Sequence, residues 1–530
     1  MFTKLKNLLV SGSSKAVPEV TFKKQGDKHL NLDELDEAVA CYSQAVSINP
    51  EFVEAYLGLG FALTGQLHHE QAAAALDKAL SIDPAIADAH YMLGTIAKAR
   101  DDQPGAIRHF TRALELKPDF EFAYRDFFDF LLHSGQTGEA EALIRKGILV
   151  FPESAEFHFF LGNLLFNRQD FEGAISCHTK AVALEPTAVS SHKILGDAHR
   201  NLGHHQRSAE CYEAAALLEP DNADAHVNLG DALDMLGKNQ QSIGCYRRAI
   251  ALEPGHAAAH RLLGNALLSN GNQPGALACY RKVVELQPDS PVVHLVAALS
   301  GESPDSAPRG YVEQLFDEYA QHFDSHLVRT LHYNVPEKLA EMVLKFSVPG
   351  AGKWSVLDLG CGTGLSGSAL AAHAGELVGV DLSSKMLAKA RARNIYSRLE
   401  HMDLVSMMQN EAPASYDVLI SADVFIYVGR LDGLFDQAQR LLRPGGLFAF
   451  SIESLDALND EGGLASGAAP GYQLTPTGRY AHSMAYMIRM ATHHGFGILS
   501  NMNIQCRLEQ GKDVPGRMML WRRLDGTGPH

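Results

Sequence analysis

Through the first 290 residues, small, apolar and proline positions fall on one beat. Pro50, Pro84, Pro118, Pro152, Pro186, Pro220, Pro254 and Pro288 are each 34 residues apart. Gly26, Gly60, Gly94, Gly162, Gly196, Gly230 and Gly264 keep the same beat, with Phe128 standing in the glycine series. Ala38, Ala72, Ala106, Ala140, Ala174, Ser208, Ser242 and Ala276 form a third series. The spacing predicts eight helix pairs from about residue 19 to 290. Small residues let the two helices of a pair approach, and each proline stops the second helix and fixes the turn. One pair cannot bury its apolar face alone, so neighbours must stack to build a core. After Tyr311 the pattern changes to helical stretches alternating with short apolar runs at 355–360, 377–382, 398–403, 417–423 and 447–453, then 498–505 and 517–523. Strands separated by helices predict a parallel, doubly wound sheet, completed by an antiparallel hairpin.

The 34-residue beat of Gly, Ala and Pro resembles the tetratricopeptide repeat. The resemblance implies an all-α superhelical solenoid whose inner face takes an extended peptide, so a protein or peptide partner is expected in that groove. Asp27, Thr95, Asn163, Asp197, Asp231 and Asn265 fall where the first helix of a pair faces inward. They suit hydrogen bonding to a peptide backbone, and equally a solvated concave face. Phe128, within the aromatic stretch FEFAYRDFFDFLL, predicts a fourth repeat that packs less tightly or bends. His90, His158, His192, His226 and His260 recur at one phase. Cys41, Cys177, Cys211, Cys245 and Cys279 recur at another. Equivalent positions in stacked helices lie roughly 8–10 Å apart, too far for a disulfide or a shared ion, so no metal is expected.

The stretch Ser300 to Gly310, SGESPDSAPRG, reads as a linker behind a short capping helix. The expected organisation is a tail at 1–18, repeats at 19–290, cap and linker at 291–310, a second domain at 311–524 and a tail at 525–530. The net charge of −16 gives no general attraction for phosphate backbones, so nucleic acid is not an expected partner. No apolar run is long enough to span a bilayer, and the N-terminal Leu-Leu-Val run is too short for a signal peptide. A cytoplasmic location is expected.

The segment VLDLGCGTG, Val356 to Gly364, ends a strand in Asp358 and continues with Gly360, Cys361, Gly362 and Gly364 before a helix. Gly367 also permits a G-x-G-x-x-G reading from Gly362, the dinucleotide pattern. A carboxylate beside the loop would repel a diphosphate, whereas it suits a cationic ligand. The arrangement resembles motif I of class I S-adenosylmethionine-dependent methyltransferases, an α/β Rossmann-like fold. Four later segments extend the resemblance: VGVDLS (378–383), HMD (401–403), SADVFIYV (421–428) and LLRPGGLFAFS (441–451). It implies S-adenosylmethionine as cofactor, with Asp381 on the ribose hydroxyls and Leu382 against adenine. It also places Met402 and Asp403 near the adenine edge, and the segment holding Asp423 beside the methyl-transfer site.

Segment 311–339 precedes motif I, where the resembled family often has a lid. This segment and GRYAHSMAYMIRMATHHGF resemble a bacterial group joining tetratricopeptide repeats to a methyltransferase. Phe316, Tyr319, Phe323 and Tyr333 offer aromatic faces to a sulfonium, with core packing the other reading. His326, His482 and Glu453 are the candidate general bases. Residues 455–480, rich in Gly, Ala and Pro, read as a mobile loop over the acceptor site or a plain insertion. No N/D-P-P-Y/F signature follows the fourth strand, and Cys361, inside the cofactor loop, is a poor nucleophile. Three readings follow: a methyltransferase whose repeats recruit a protein, a small-molecule methyltransferase whose repeats serve assembly, and a non-catalytic scaffold.

Overall fold

The computed structural model describes residues 17–320, 323, 334–347, 353–460, 471–509 and 512–524. The chain divides into two compact units, residues 1–238 and 239–530.

The first unit is made of antiparallel helix pairs, beginning with α1 (Pro18–Asn31) and α2 (Leu35–Ile48) and ending in α13 (Ala223–Met235). The small-residue beat has a direct packing cause. A Cβ added at Gly26 would lie 2.8 Å from the Tyr42 ring, and one at Gly196 would lie 2.6 Å from Tyr212. The ring sixteen positions downstream therefore rests on bare backbone, fully buried. A buried aromatic of this kind stabilises by about 1.5–3 kcal/mol. Its hydroxyl stays satisfied: Tyr42 donates to Asp27 at 2.9 Å and Tyr212 to Asp197 at 2.6 Å. Two of the residues expected to meet a peptide thus already hold a tyrosine of their own repeat. The recurring histidines have an equally local role. His158, His192 and His226 each donate Nε2–H to the carbonyl of the proline six residues earlier, all at 3.0 Å.

The fourth repeat is not loosely packed. Phe128 is buried and stacks on Phe160 at 4.7 Å. The position facing Phe128 is Ile144, smaller than the ring that faces Gly26 or Gly196, so bulk has moved from one helix to the other within the same core.

The second unit opens with α14 (Asn239–Leu252), α15 (Ala257–Ser269) and α16 (Gln273–Leu286), then α17 (Val293–Ser300). Here Tyr280 donates to Asn265 at 2.8 Å and His260 to the Pro254 carbonyl at 3.0 Å, as in the first unit. The unit boundary thus falls inside the seventh helix pair, where the sequence beat is unbroken. Val292, Leu295, Val296 and Leu299 close the apolar cluster of these helices.

Beyond lies a sheet that has nine strands among the described residues, in the order β3-β2-β1-β4-β5-β7-β6, with β9 on β5 and β8 on β9. Its first five strands are β1 (Trp354–Leu359), β2 (Ala374–Asp381), β3 (Arg398–His401), β4 (Tyr416–Ser421) and β5 (Leu442–Ser454), all parallel. Strands β8 (Phe496–Glu509) and β9 (Lys512–Arg523) form the expected antiparallel hairpin. Helices α18 (Arg309–Tyr319), α19 (Val335–Phe346), α20 (Leu365–Leu370), α21 (Ser384–Ala392), α22 (Leu404–Asn410) and α23 (Asp432–Leu441) alternate with the strands. Buried Leu357, Val378 and Phe448 on one face and Val356, Leu377 and Leu447 on the other make the strands apolar on both faces, as a helix-covered parallel sheet requires.

Two expectations change. The segment read as a loop over the acceptor holds α24 (Leu455–Asp460), β6 (Tyr472–Leu474) and β7 (Tyr480–His482), with Tyr472 and Tyr480 buried. Residues 461–470 lie outside the described part. The stretch read as a linker is bonded into the sheet domain: Ala307 N–H donates to Tyr427 O at 3.0 Å, and Ser306 bridges Val428. Its Ser, Pro and Gly content reflects an extended, hydrogen-bonded path. Among the described residues no helix is long and apolar enough to cross a membrane.

Candidate cofactor site

Strand β1 delivers its carboxylate at the carboxyl edge of the sheet, where ligands of open α/β sheets bind. The turn that follows needs positive φ at Gly360 (+69°), Gly362 (+53°) and Gly364 (+91°), a region other residues rarely adopt. Gly360 has a second reason: a Cβ there would stand 2.4 Å from Val424, so the loop lies against the chain leaving β4. A Cβ on Gly362 would meet nothing within 4 Å. That glycine faces open space.

Asp381, at the end of β2, ties the loop down. Its Oδ2 accepts from Gly362 N–H and its Oδ1 from Ser383 N–H, both at 2.8 Å. Burial raises its pKa, opposed by these bonds. A carboxylate offers about four acceptor positions, so acceptor capacity remains for a ribose hydroxyl. Leu382 is half-buried, and its carbonyl accepts from His401 Nε2 at 2.8 Å, which joins the ends of β2 and β3.

Asp358 is placed differently from the expectation. It is fully buried, and Tyr396 donates to its Oδ2 at 2.7 Å. Its Oδ1 has no partner among the described residues. Burial pushes its pKa up to about 7, against the pull of the tyrosine and of the Gly367 N–H. Beside it, Arg393 Nε donates to Thr363 O at 2.5 Å. Tyr396 and Arg393 brace the glycine loop, and sequence reading missed both. The Tyr396 contact spans 38 residues and belongs to no motif. Cys361 is buried, which holds its thiol well above the ordinary value.

Asp403 caps α22, accepting from Ser406 N–H at 2.9 Å. Burial pushes its pKa up, but the Ser406 bonds outweigh this and it ends lowered. One oxygen expected near adenine is thus spent on a helix end. Met402 packs into the sheet core. Asp423 has a positive φ of 56° and is clasped by Ser451: its N–H donates to Ser451 Oγ at 2.8 Å, and that hydroxyl donates back to Oδ1 at 2.7 Å.

Helix α18 crosses this edge. Ser383 Oγ donates to Asp317 at 2.5 Å, and Phe316 meets Tyr427 edge-on at 5.5 Å. Tyr319 packs edge-on against Phe323 at 5.3 Å, in the cluster behind β1. That contact favours the core reading of Tyr319. Tyr333 and His326 lie outside the described residues.

The remaining candidate bases are enclosed. His482 is fully buried, donates Nε2–H to Gly429 O at 3.0 Å and stacks on Tyr486. Burial lowers its pKa to about 4, so it is neutral near pH 7 but sealed within its neighbours. Its geometry is that of a core histidine joining β7 to the loop after β4. Glu453 is also buried, at the end of β5.

The Asp381 carboxylate favours a cation, the loop leaves room at Gly362, and Asp381 retains hydroxyl acceptors. These features fit S-adenosylmethionine. A methyltransferase-domain family model matches residues 356–446. Tetratricopeptide-repeat models match 26–66, 62–119, 128–187, 195–243 and 235–291. The chain joins tetratricopeptide repeats to a methyltransferase domain. Among curated relatives of the methyltransferase part is the ubiquinone biosynthesis O-methyltransferase of Xylella fastidiosa (strain M23), 28% identical over 159 residues, 28% of this chain and 63% of that one. The biotin biosynthesis bifunctional protein BioCD of Bordetella avium (strain 197N) is 32% identical over 160 residues, 29% of this chain and 32% of that one. The chain thus spans 63% or less of the length of these two relatives. Among solved structures similar to the repeats, MamA is 25% identical, covering 32% of this chain and 92% of its own at a TM-score of 0.31.

Proposed function

We propose that the protein transfers a methyl group from S-adenosylmethionine to an acceptor, and that its repeats recruit a protein partner or the substrate itself. The observation that carries this reading is the Asp381 carboxylate bonded to Gly362 of the glycine loop. That bond sets a ribose acceptor and an open backbone cradle side by side. The cofactor supplies an electrophilic methyl group. The residues of this chain bind and align: Asp381 takes the ribose hydroxyls, the turn at Gly360–Gly364 passes close beneath the ligand, and α18 covers the edge. Alignment of the acceptor with the methyl carbon then provides much of the rate. Glu453 and His482 are both buried, so neither is assigned the acceptor proton in this proposal.

A second reading rests on the relatives. Their names include an O-methyltransferase, which favours a small hydroxylated acceptor with the repeats serving assembly. Calorimetry of S-adenosylmethionine with the full chain tests the shared part of both. Saturable binding is expected, and its absence in a folded protein would leave a non-catalytic scaffold. Labelled methyl transfer to protein or to small-molecule fractions then separates the two readings.

A further inference from the structure

We infer that residues 303–307, with Asp305 as the key side chain, are a positioning element of the methyl-transfer site. This inference rests on the methyltransferase reading above. The chain leaving β4 forms one wall of that site: Val424 lies against Gly360, and Tyr427 carries Phe316 of the covering helix. The wall has little regular structure of its own, only a three-residue 3-10 turn at Phe425–Tyr427. Its backbone is held from upstream instead. The Asp305 carbonyl accepts from Gly429 N–H at 2.9 Å and Arg430 N–H at 2.8 Å, and Ala307 N–H donates to Tyr427 O at 3.0 Å.

The same five residues also hold β6. Tyr472 donates its hydroxyl to Asp305 Oδ1 at 2.7 Å, and Leu474 N–H donates to Ser303 Oγ at 3.0 Å. Gly429 lies flat on the two rings beneath it: a Cβ there would be 2.6 Å from Tyr472 and 2.7 Å from Tyr480. The wall is thus clamped between the 303–307 backbone and two rings, of which Asp305 fixes that of Tyr472. The ion pair of Asp305 with Arg430 at 3.3 Å is well exposed and adds little. The bond to buried Tyr472 is the consequential one, because its loss leaves a phenol under the wall without a partner. Methyl transfer demands alignment to a fraction of an ångström, so play in this wall acts on the reaction although Asp305 touches neither ligand.

The test uses the full chain with Asp305→Ala, Asp305→Asn and Ser303→Ala, read by amide hydrogen exchange with and without S-adenosylmethionine, and by calorimetry. In the wild type the cofactor is expected to slow exchange across 424–430. Asp305→Ala is expected to speed exchange at 427–430 and 472–474 by about tenfold and to abolish the cofactor-induced slowing. Its cofactor affinity should stay within about threefold, since the Asp381 side is untouched. Asp305→Asn keeps an acceptor for Tyr472 and should restore the wild-type pattern. Ser303→Ala should affect 474 alone. Unchanged exchange in Asp305→Ala, or a rise that extends equally to 356–364, would overturn the inference. So would retained cofactor-induced slowing in that variant. Absence of cofactor binding by the wild type would instead remove the methyltransferase reading, while exchange in the unliganded variants still reports on the clamp.

Discussion

Tyr396 donates its hydroxyl hydrogen to the buried carboxylate of Asp358 at 2.7 Å, beneath the glycine loop. The pair explains how an acid can sit with no solvent contact: one oxygen is bonded and burial raises the pKa of the group to about 7. A carboxyl group whose folded pKa exceeds its unfolded value binds protons more tightly when folded. It therefore stabilises most at low pH, and the contribution is lost as pH rises from about 4 through 7. Against wild type, Asp358→Asn should remove a slope of at most about 1.4 kcal/mol per pH unit. Thermal melts at pH 5 and pH 8 check this, and equal slopes would contradict it. Tyr396→Phe should move the loss toward higher pH, because the lowering bond is gone.

Asp381→Ala should weaken S-adenosylmethionine binding by about 10–100-fold, the range for losing hydrogen bonds to a charged group. Part of the effect comes through the loop, since Gly362 N–H loses its anchor. Asp381→Asn retains an acceptor and should fall between. Calorimetry reads both, and an unchanged affinity in the alanine variant would remove Asp381 from the cofactor site.

Gly360→Ala and Gly362→Ala separate folding from binding. Both have positive φ, which costs an alanine about 1–3 kcal/mol. Only the first also drives a methyl into Val424, at 2.4 Å. Gly360→Ala should thus lower the melting temperature more. Gly362→Ala should fold and still bind cofactor poorly, because its methyl fills the open side. If the second variant bound normally, the cofactor would not lie over Gly362.

In the fifth repeat His178 occupies the phase that Tyr42, Tyr212 and Tyr280 hold elsewhere, and neither ring nitrogen finds a partner among the described residues. Asn163, fifteen residues earlier, has an Oδ1 with no partner among the described residues. Tyr280 and Asn265 are bonded at this same spacing. His178→Tyr should therefore stabilise the first unit by about 1 kcal/mol. Burial lowers the His178 pKa to about 4, so the wild type loses stability as pH falls from 6.5 toward 4, where only the unfolded chain gains the proton. The variant should lose that component. Melts at pH 7 and pH 5 decide, and a lower melting temperature at both would refute the pairing.

The repeats were legible because each helix pair solves the same local problem: Gly26 and Tyr42 stand sixteen residues apart, and so do Gly196 and Tyr212. The cofactor loop was legible for a similar reason, since Asp358, the glycines and Asp381 act through short segments at strand ends. What stayed hidden depends on partners far along the chain. Nothing near Tyr396 announces Asp358, nothing near Ser303 announces Leu474, and the compensation at Phe128 appears only when Ile144 is placed opposite. His482 misled for a physical reason: a histidine beside tyrosines suits both a reactive pocket and a core, and only burial separates them.

The clamp at 303–307 also bears on how such a chain could have been assembled or rearranged. A recombination event at the Ser-, Pro- and Gly-rich stretch would part the post-β4 wall and β6 from the residues that bond them. A break near residue 238 would spare those bonds, because the final helices fall in the same unit as the sheet. The segment that looks most like a seam is thus a poor place to cut. Chains that exchanged their repeat arrays while keeping this catalytic half would be expected to inherit the last repeat with it, as one block.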